Sequence, residues 1–327
     1  MKVLLASPRG FCAGVERAIE VVERALEAFG PPVYVRKEIV HNRFVVEDLK
    51  SRGAVFVEEL AEVPEGSTVI FSAHGISPTV RDEAKTRKLK AIDATCPLVT
   101  KVHLEVARFL GAGCDLILVG HAGHDEVVGT MGEAPGRIQL VTSVDDAARV
   151  EVANPEKLVV LTQTTLSADD SAVIMAALRR RFPKLSLPSS EDICYATRSR
   201  QQAVRALARW APVILVVGAQ NSSNSIRLTE VAKDARARAF LLNHVGDVDW
   251  SWLNGVETVG ITAGASAPER VVRELINTIL FRYGGELEEV SSVPETTRFF
   301  LPPELEEALK AGRSRTTPRE AVASRKD

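Results

Sequence analysis

Three cysteines carry the strongest chemical signal in this chain. Cys12, Cys96 and Cys194 stand in FCAG, TCPL and ICYAT, each following a short apolar run that reads as a strand, so all three are expected to face one side. A single cysteine is as readily a small buried apolar side chain as a ligand. Cys114, just ahead of the run LILV, is read that way because it falls at the opposite end of its strand. Three thiolates could hold zinc together with a water. They could equally hold three corners of a [4Fe-4S] cluster and leave one iron open to a substrate oxygen. Zinc normally recruits histidine as well, and Cys12 and Cys96 lack the CxxC spacing of structural zinc sites.

Further loops carry donors suited to an anion. His41, His74 and His124 recur in similar positions after strands, where imidazole N–H groups could meet phosphate oxygens. The run NSSNS opens a helix, so Ser222, Ser223 and Asn224 offer hydroxyls, an amide and free backbone N–H groups. Ser266 in TAGASAP offers the same. Plain helix capping would account for either run separately, but not for their coincidence with the cysteines. Glu126, two residues after His124, would favour a helix start through the dipole alone. In a cavity lined by Thr, Ser, Asn and His it is also the leading proton donor, with Thr164 placed to bind substrate and relay or orient the proton. Asp125 is the second choice, and His103, His121 and His244 are read as structural.

These residues need a frame. Apolar runs ending in small or polar loops recur at 3 to 6, 33 to 35, 69 to 71, 91 to 93, 116 to 119, 158 to 161, 193 to 194, 213 to 217 and 259 to 262. Near-continuous Val/Ile/Leu strands alternating with helices indicate parallel sheets covered on both faces. Between the first two runs, Val15, Ala18, Ile19, Val22 and Leu26 form one helical stripe. Ligands of such sheets bind beyond the carboxyl ends of the strands. The loop residues fall into three groups, each led by a cysteine. Cys12 to His41, Cys96 to His124 and Cys194 to Asn224 span 29, 28 and 30 residues. A threefold internal repeat would bring the three cysteines around one axis. The reading is three pseudo-threefold-related α/β lobes, each a small mostly parallel sheet flanked by helices: 1–95, 96–193 and 194–290, with 1–13 able to pack on the third. Residues 291–327 form a C-terminal extension, expected to be mobile beyond 312 because GRSRTTPREAVASRKD lacks apolar periodicity.

Composition removes several classes. Forty-one basic residues nearly balance forty-three acidic ones, so no overall field favours nucleic acid or an anionic membrane. Charges or glycines interrupt every apolar run before the roughly 20 residues a membrane helix needs. Pro8, Arg9 and Gly10 end the first run before it could serve as a signal peptide. A cytoplasmic location is the expectation, and reduced thiols there favour metal binding over disulfides.

The motifs PRGFCAGVERAI, KEIVHN, SAHGIS, DATCPLV, GHAGHDEVVGT, TQTTLS, ICYATRSRQ, NSSNS and TAGASAP resemble the 4-hydroxy-3-methylbut-2-enyl diphosphate reductase family of the non-mevalonate isoprenoid pathway. The likeness covers the chain to about residue 300. It implies a trilobed α/β fold around a [4Fe-4S] cluster held by Cys12, Cys96 and Cys194, with one iron not ligated by protein. It also implies diphosphate binding by His41, His74, His124, Ser222, Ser223, Asn224 and Ser266, with Thr164 and Glu126 near the leaving hydroxyl. The reaction implied is reductive dehydroxylation to isopentenyl and dimethylallyl diphosphates. No GxGxxG follows the first strand, so an external electron donor, a ferredoxin or flavodoxin, is expected. The rivals are a quinolinate-synthase-like dehydratase, a non-enzymatic iron–sulfur sensor and a zinc hydrolase.

Overall fold

The computed structural model describes residues 1–292 and 294–316, without the side chains of 312–316. Strand β1 (Lys2–Ser7) leads into helix α1 (Ala13–Phe29). The chain then forms β2 (Val33–Arg36), α2 (Arg43–Ser51), β3 (Ala54–Val57), β4 (Thr68–Phe71), α3 (Pro78–Thr86) and β5 (Lys90–Asp93). Next come α4 (Pro97–Gly111), β6 (Asp115–Val119), α5 (Asp125–Gly132), β7 (Ile138–Val141), α6 (Val144–Arg149), β8 (Leu158–Thr162) and α7 (Ala168–Arg181). The last stretch holds α8 (Tyr195–Ala208), β9 (Val213–Val217), α9 (Ser223–Asp234), β10 (Arg238–Leu242), β11 (Thr258–Ala263), α10 (Glu269–Tyr283), β12 (Glu286–Ser291) and α11 (Pro303–Thr316).

Three parallel sheets result, ordered β3-β2-β4-β5, β7-β6-β8 and β10-β9-β11-β1-β12. Central strands such as β4 and β9 are buried at every residue, as both-face covering by helices requires. Each fully buried Val, Leu or Ile contributes about 1.5–3 kcal/mol, so each sheet carries its own stabilising core. The register β1–β11 pairs Lys2 with Thr258 through Leu5 with Ile261, which seats the N-terminal strand in the last sheet.

The chain therefore changes lobe beside each cysteine. After β1 in the last sheet, α1 packs Ala18, Val21 and Val22 into the core under the first sheet. After β5, α4 delivers Val102 and Val106 to the core of the second. Ile193 belongs to the second lobe's core, whereas Ala203, Val204 and Leu207 of α8 belong to the third. The fold is thus an α/β trefoil with pseudo-threefold symmetry, its crossings meeting at the centre.

One expectation needs correction: the run 193–194 is loop, because Cys194 caps α8 instead of extending a strand. Of the tail expected to be mobile beyond 312, residues 312–316 fall in α11, and residues 317–327 lie outside the described residues. Among the described residues no helix is long and apolar enough to cross a membrane.

Candidate functional site

Cys12, Cys96 and Cys194 are the N-cap residues of α1, α4 and α8, so three helix N-termini point their sulfurs to the centre. His124 and Ser222 cap α5 and α9 in the same way. Five helix N-termini thus surround one cavity, a field that favours anions. The cavity, of about 110 Å³, is lined by all three cysteines, His41, His74, His124, Glu126, Thr164, Ser222, Ser223, Asn224 and Ser266. Apart from the second-choice Asp125, every residue singled out in the sequence for the site therefore reaches one place. Cys114 does not; it packs in the second lobe's core.

The cysteines are half-buried and converge. A Cβ placed on Gly14 would lie 2.6 Å from Cys96 Sγ and 3.9 Å from Cys12 Sγ, so only glycine leaves room there. Burial, and next the neighbouring Cys12, push Cys96 up to about 12 and Cys194 up to about 11. The Thr197 backbone N–H and hydroxyl lie 3.3 and 3.1 Å from Cys194 Sγ, a partner the sequence did not single out. Cys96 and Cys194, without a cationic side chain between them, are poorly placed to ionise alone. A cationic iron–sulfur core would supply the missing compensation, so this donor set fits a cluster.

The histidines form a stack. The His41 and His74 rings lie 4.0 Å apart at 16°, and His124 meets both edge-on. His124 Nδ1 accepts the Glu126 N–H at 3.1 Å, which leaves Nε2–H as its donor toward the cavity. Burial first, then the other imidazoles, hold His74 well below its usual range and push His124 down to about 4. His41 Nδ1 lies 3.1 Å from Glu38 Oε2, and burial-opposed hydrogen bonding to His41 keeps that carboxyl ionised.

Glu126 is 3 % exposed and sits on the inner face of α5. Its two oxygens accept from the Thr164 backbone N–H at 2.6 Å and the Thr164 hydroxyl at 3.0 Å. Burial nevertheless pushes it up to about 7, with Thr164 pulling the other way. At neutral pH this carboxyl can both hold and release a proton. Asp125, one step around the helix, lies 4.0 Å from His41 Nε2 at the edge and does not line the cavity.

The hydroxyl and amide groups knit the lobes. Thr165 Oγ1 donates to Ser223 Oγ at 3.0 Å, and Ser266 Oγ donates to the His41 carbonyl at 2.9 Å. Asn224 Oδ1 accepts the Ala265 N–H at 2.9 Å, while its Nδ2 is buried without a protein partner, a free donor for a ligand. His103 pairs with Glu133 at 2.8 Å, and His244 caps a short helix turn. His121 lies within hydrogen-bond distance of Gln163, Ser223 and Arg227.

A family model described as LytB protein matches residues 3–280. The 4-hydroxy-3-methylbut-2-enyl diphosphate reductase of Azoarcus sp. (strain BH72) is 55% identical over 307 residues, covering 94% of this chain and 98% of the relative. The solved structure of E-1-hydroxy-2-methyl-but-2-enyl-4-diphosphate reductase from Plasmodium falciparum is 40% identical, with TM-score 0.93 over 96% of this chain and 99% of that one. A second solved structure, of (E)-4-hydroxy-3-methyl-but-2-enyl diphosphate reductase, the terminal enzyme of the non-mevalonate pathway, is 31% identical. It gives TM-score 0.62 over 86% of this chain and 99% of its own.

Proposed function

The chain belongs to the LytB family, and from that premise we propose that it reductively dehydroxylates 4-hydroxy-3-methylbut-2-enyl diphosphate to isopentenyl and dimethylallyl diphosphates. The observation that carries the reading is the meeting, in one cavity, of three helix-capping thiols, a stack of histidines, a Ser-Ser-Asn helix start and a buried proton-holding carboxyl.

Cys12, Cys96 and Cys194 would hold the [4Fe-4S] cluster. When bound, it supplies two electrons one at a time and, with only three protein thiolates, an open Lewis-acidic iron. The substrate's allylic C–O bond breaks, two electrons and two protons enter, and water leaves. His41, His74 and His124 would meet the diphosphate with N–H donors and take up protons as the anion arrives. Ser222, Ser223 and Asn224 add hydroxyl, amide and backbone donors at the start of α9. Ser266 already gives its hydroxyl proton to the His41 carbonyl, so its contribution comes through its backbone or after that bond exchanges.

Glu126 would protonate the departing hydroxyl through Thr164, whose side chain touches the carboxylate directly. Because the cavity sits at the convergence of three lobes, closure around substrate would exclude water and strengthen each of these interactions. The same reading includes an external electron carrier, a ferredoxin or flavodoxin, and a cytoplasmic location.

The test is anaerobic purification with iron and sulfide quantified, followed by turnover of the substrate with dithionite and a viologen mediator. About four irons per chain and both isoprenoid diphosphates are expected. A full cluster with no turnover would redirect the reading to a dehydratase or sensor, and stoichiometric zinc without iron would remove the cluster.

A further inference from the structure

We infer that the segment from Pro294 to Pro302 is a strap that closes the outer side of the metal centre, with Arg200 and Glu295 as positioning residues for the loop carrying Cys12. This rests on the three-thiolate cluster reading above. Nothing in the segment lines the substrate cavity.

Arg200 is the largest fully buried side chain among the described residues. Its Nε and Nη2 donate to the Gly10 carbonyl at 3.1 and 2.7 Å, and Nη2 also reaches the Phe11 carbonyl at 3.2 Å. Those two residues immediately precede Cys12. Nη1 donates to the Ala196 carbonyl at 3.0 Å, two residues past Cys194. One guanidinium thus ties together the approaches to two of the three cysteines. Among the described residues its only carboxylate partner is Glu295 of the strap, 2.7 Å from Nη1, which also accepts from the Ser199 hydroxyl. Without Glu295 the cation would be buried uncompensated, a costly state.

A second cation repeats the arrangement at the third cysteine. Arg17 Nε donates to the Phe300 carbonyl of the strap at 2.6 Å, and its Nη1 donates to the Thr95 carbonyl, next to Cys96, at 3.0 Å. Thr297 of the strap faces the Tyr195 hydroxyl, beside Cys194. Through Arg200 and Arg17 the strap is thereby linked to residues next to all three cysteines. It is anchored at both ends: β12 pairs with β1 over six residues, and Leu301, Leu305 and Leu309 pack on the first lobe's core. A cleft of about 680 Å³ runs beside its far end, lined by Arg17, Thr95, Pro97 and Pro302. Thr95 and Pro97 flank Cys96, so this cleft reaches the residues on either side of that cysteine.

The geometry assigns the strap to cluster retention. The experiment uses the full-length holoenzyme, purified anaerobically, and follows iron release to a chelator by loss of the visible charge-transfer absorbance. Glu295→Gln keeps the size and the Ser199 contact but removes the charge; Thr297→Val removes only the hydroxyl that faces Tyr195. Glu295→Gln should release iron about tenfold faster than wild type, from the same initial iron content, and Thr297→Val less so. Glu295→Asp should return most of the retention. Unchanged release in both Glu295→Gln and Thr297→Val overturns the proposal. So does faster release that merely tracks a lowered unfolding midpoint of the cluster-free protein, because that is general C-terminal packing. Wild-type protein that purifies without iron overturns the cluster reading itself, a result separable from both.

Discussion

Glu126→Gln separates the proton-donor role of this carboxyl from its place in the packing. Gln is isosteric, so its Oε1 can still accept the Thr164 N–H at about the observed 2.6 Å, and its amide can donate to Thr164 Oγ1. Only the exchangeable proton is lost. In the folded protein burial raises the carboxyl from its ordinary 4.5 to about 7, which at about 1.4 kcal/mol per pH unit means roughly 3 kcal/mol of native stability is forfeited once both states are ionised. The sign follows from proton counting. Below pH 4.5 both states are protonated and the penalty is absent; it grows as pH rises to about 7, where it is complete. Cluster-free Glu126→Gln should therefore be more stable to urea than cluster-free wild type at pH 8, by up to that amount, and no more stable near pH 4. Turnover of the iron-loaded variant should drop about 10²- to 10⁴-fold with little change in KM. Wild-type kcat should decline as pH rises through about 7, because the protonated fraction falls. Retained turnover in the variant would refute the assignment of the proton. A pH-independent stability difference would refute the claim that the carboxyl is ionised at a cost.

Pyrophosphate binding should draw protons from solution, since His74 and His124 are neutral in the free cavity and an anion favours their charged forms. Calorimetry in buffers of different ionisation enthalpy should show net uptake, with affinity falling from pH 6 to pH 8; no buffer dependence would contradict this. Thr164→Val keeps the backbone N–H bond to Glu126 and removes the hydroxyl, so kcat should fall about 10²-fold while iron content stays the same. Gly14→Ala would drive a methyl to 2.6 Å from Cys96 Sγ, and the purified protein should carry markedly less iron with its far-UV dichroism unchanged.

Much of the architecture was readable because burial writes itself into sequence. The eight apolar runs that became strands include every strand with neighbours on both sides, where helices cover both faces and demand Val, Ile and Leu. The four strands without a signal, β3, β7, β10 and β12, are all at sheet edges. There one side needs no neighbour, and β12 in particular is largely exposed and rich in glutamate, which discourages edge pairing.

The site divides along the same line. Residue type and the recurring 28- to 30-residue spacing sufficed to nominate the three cysteines, the histidines, Glu126 and the Ser-Ser-Asn run, because each lies at a fixed place in a repeating strand, loop and helix unit. Geometry then distinguished Glu126 from Asp125, since one helical step carries one inward to Thr164 and the other to the edge. Arg200, Arg17 and Glu295 gave no such signal, being ordinary charges on helices or in a polar extension. Apart from the Ala196 carbonyl, the partners of these residues named above lie about 80 to 280 residues away in the chain, and no local pattern encodes a contact at that range. Local chemistry and periodicity determine which groups this protein carries and how each lobe folds. Only the packing of three lobes and the returning C-terminal segment decides which buried charges meet.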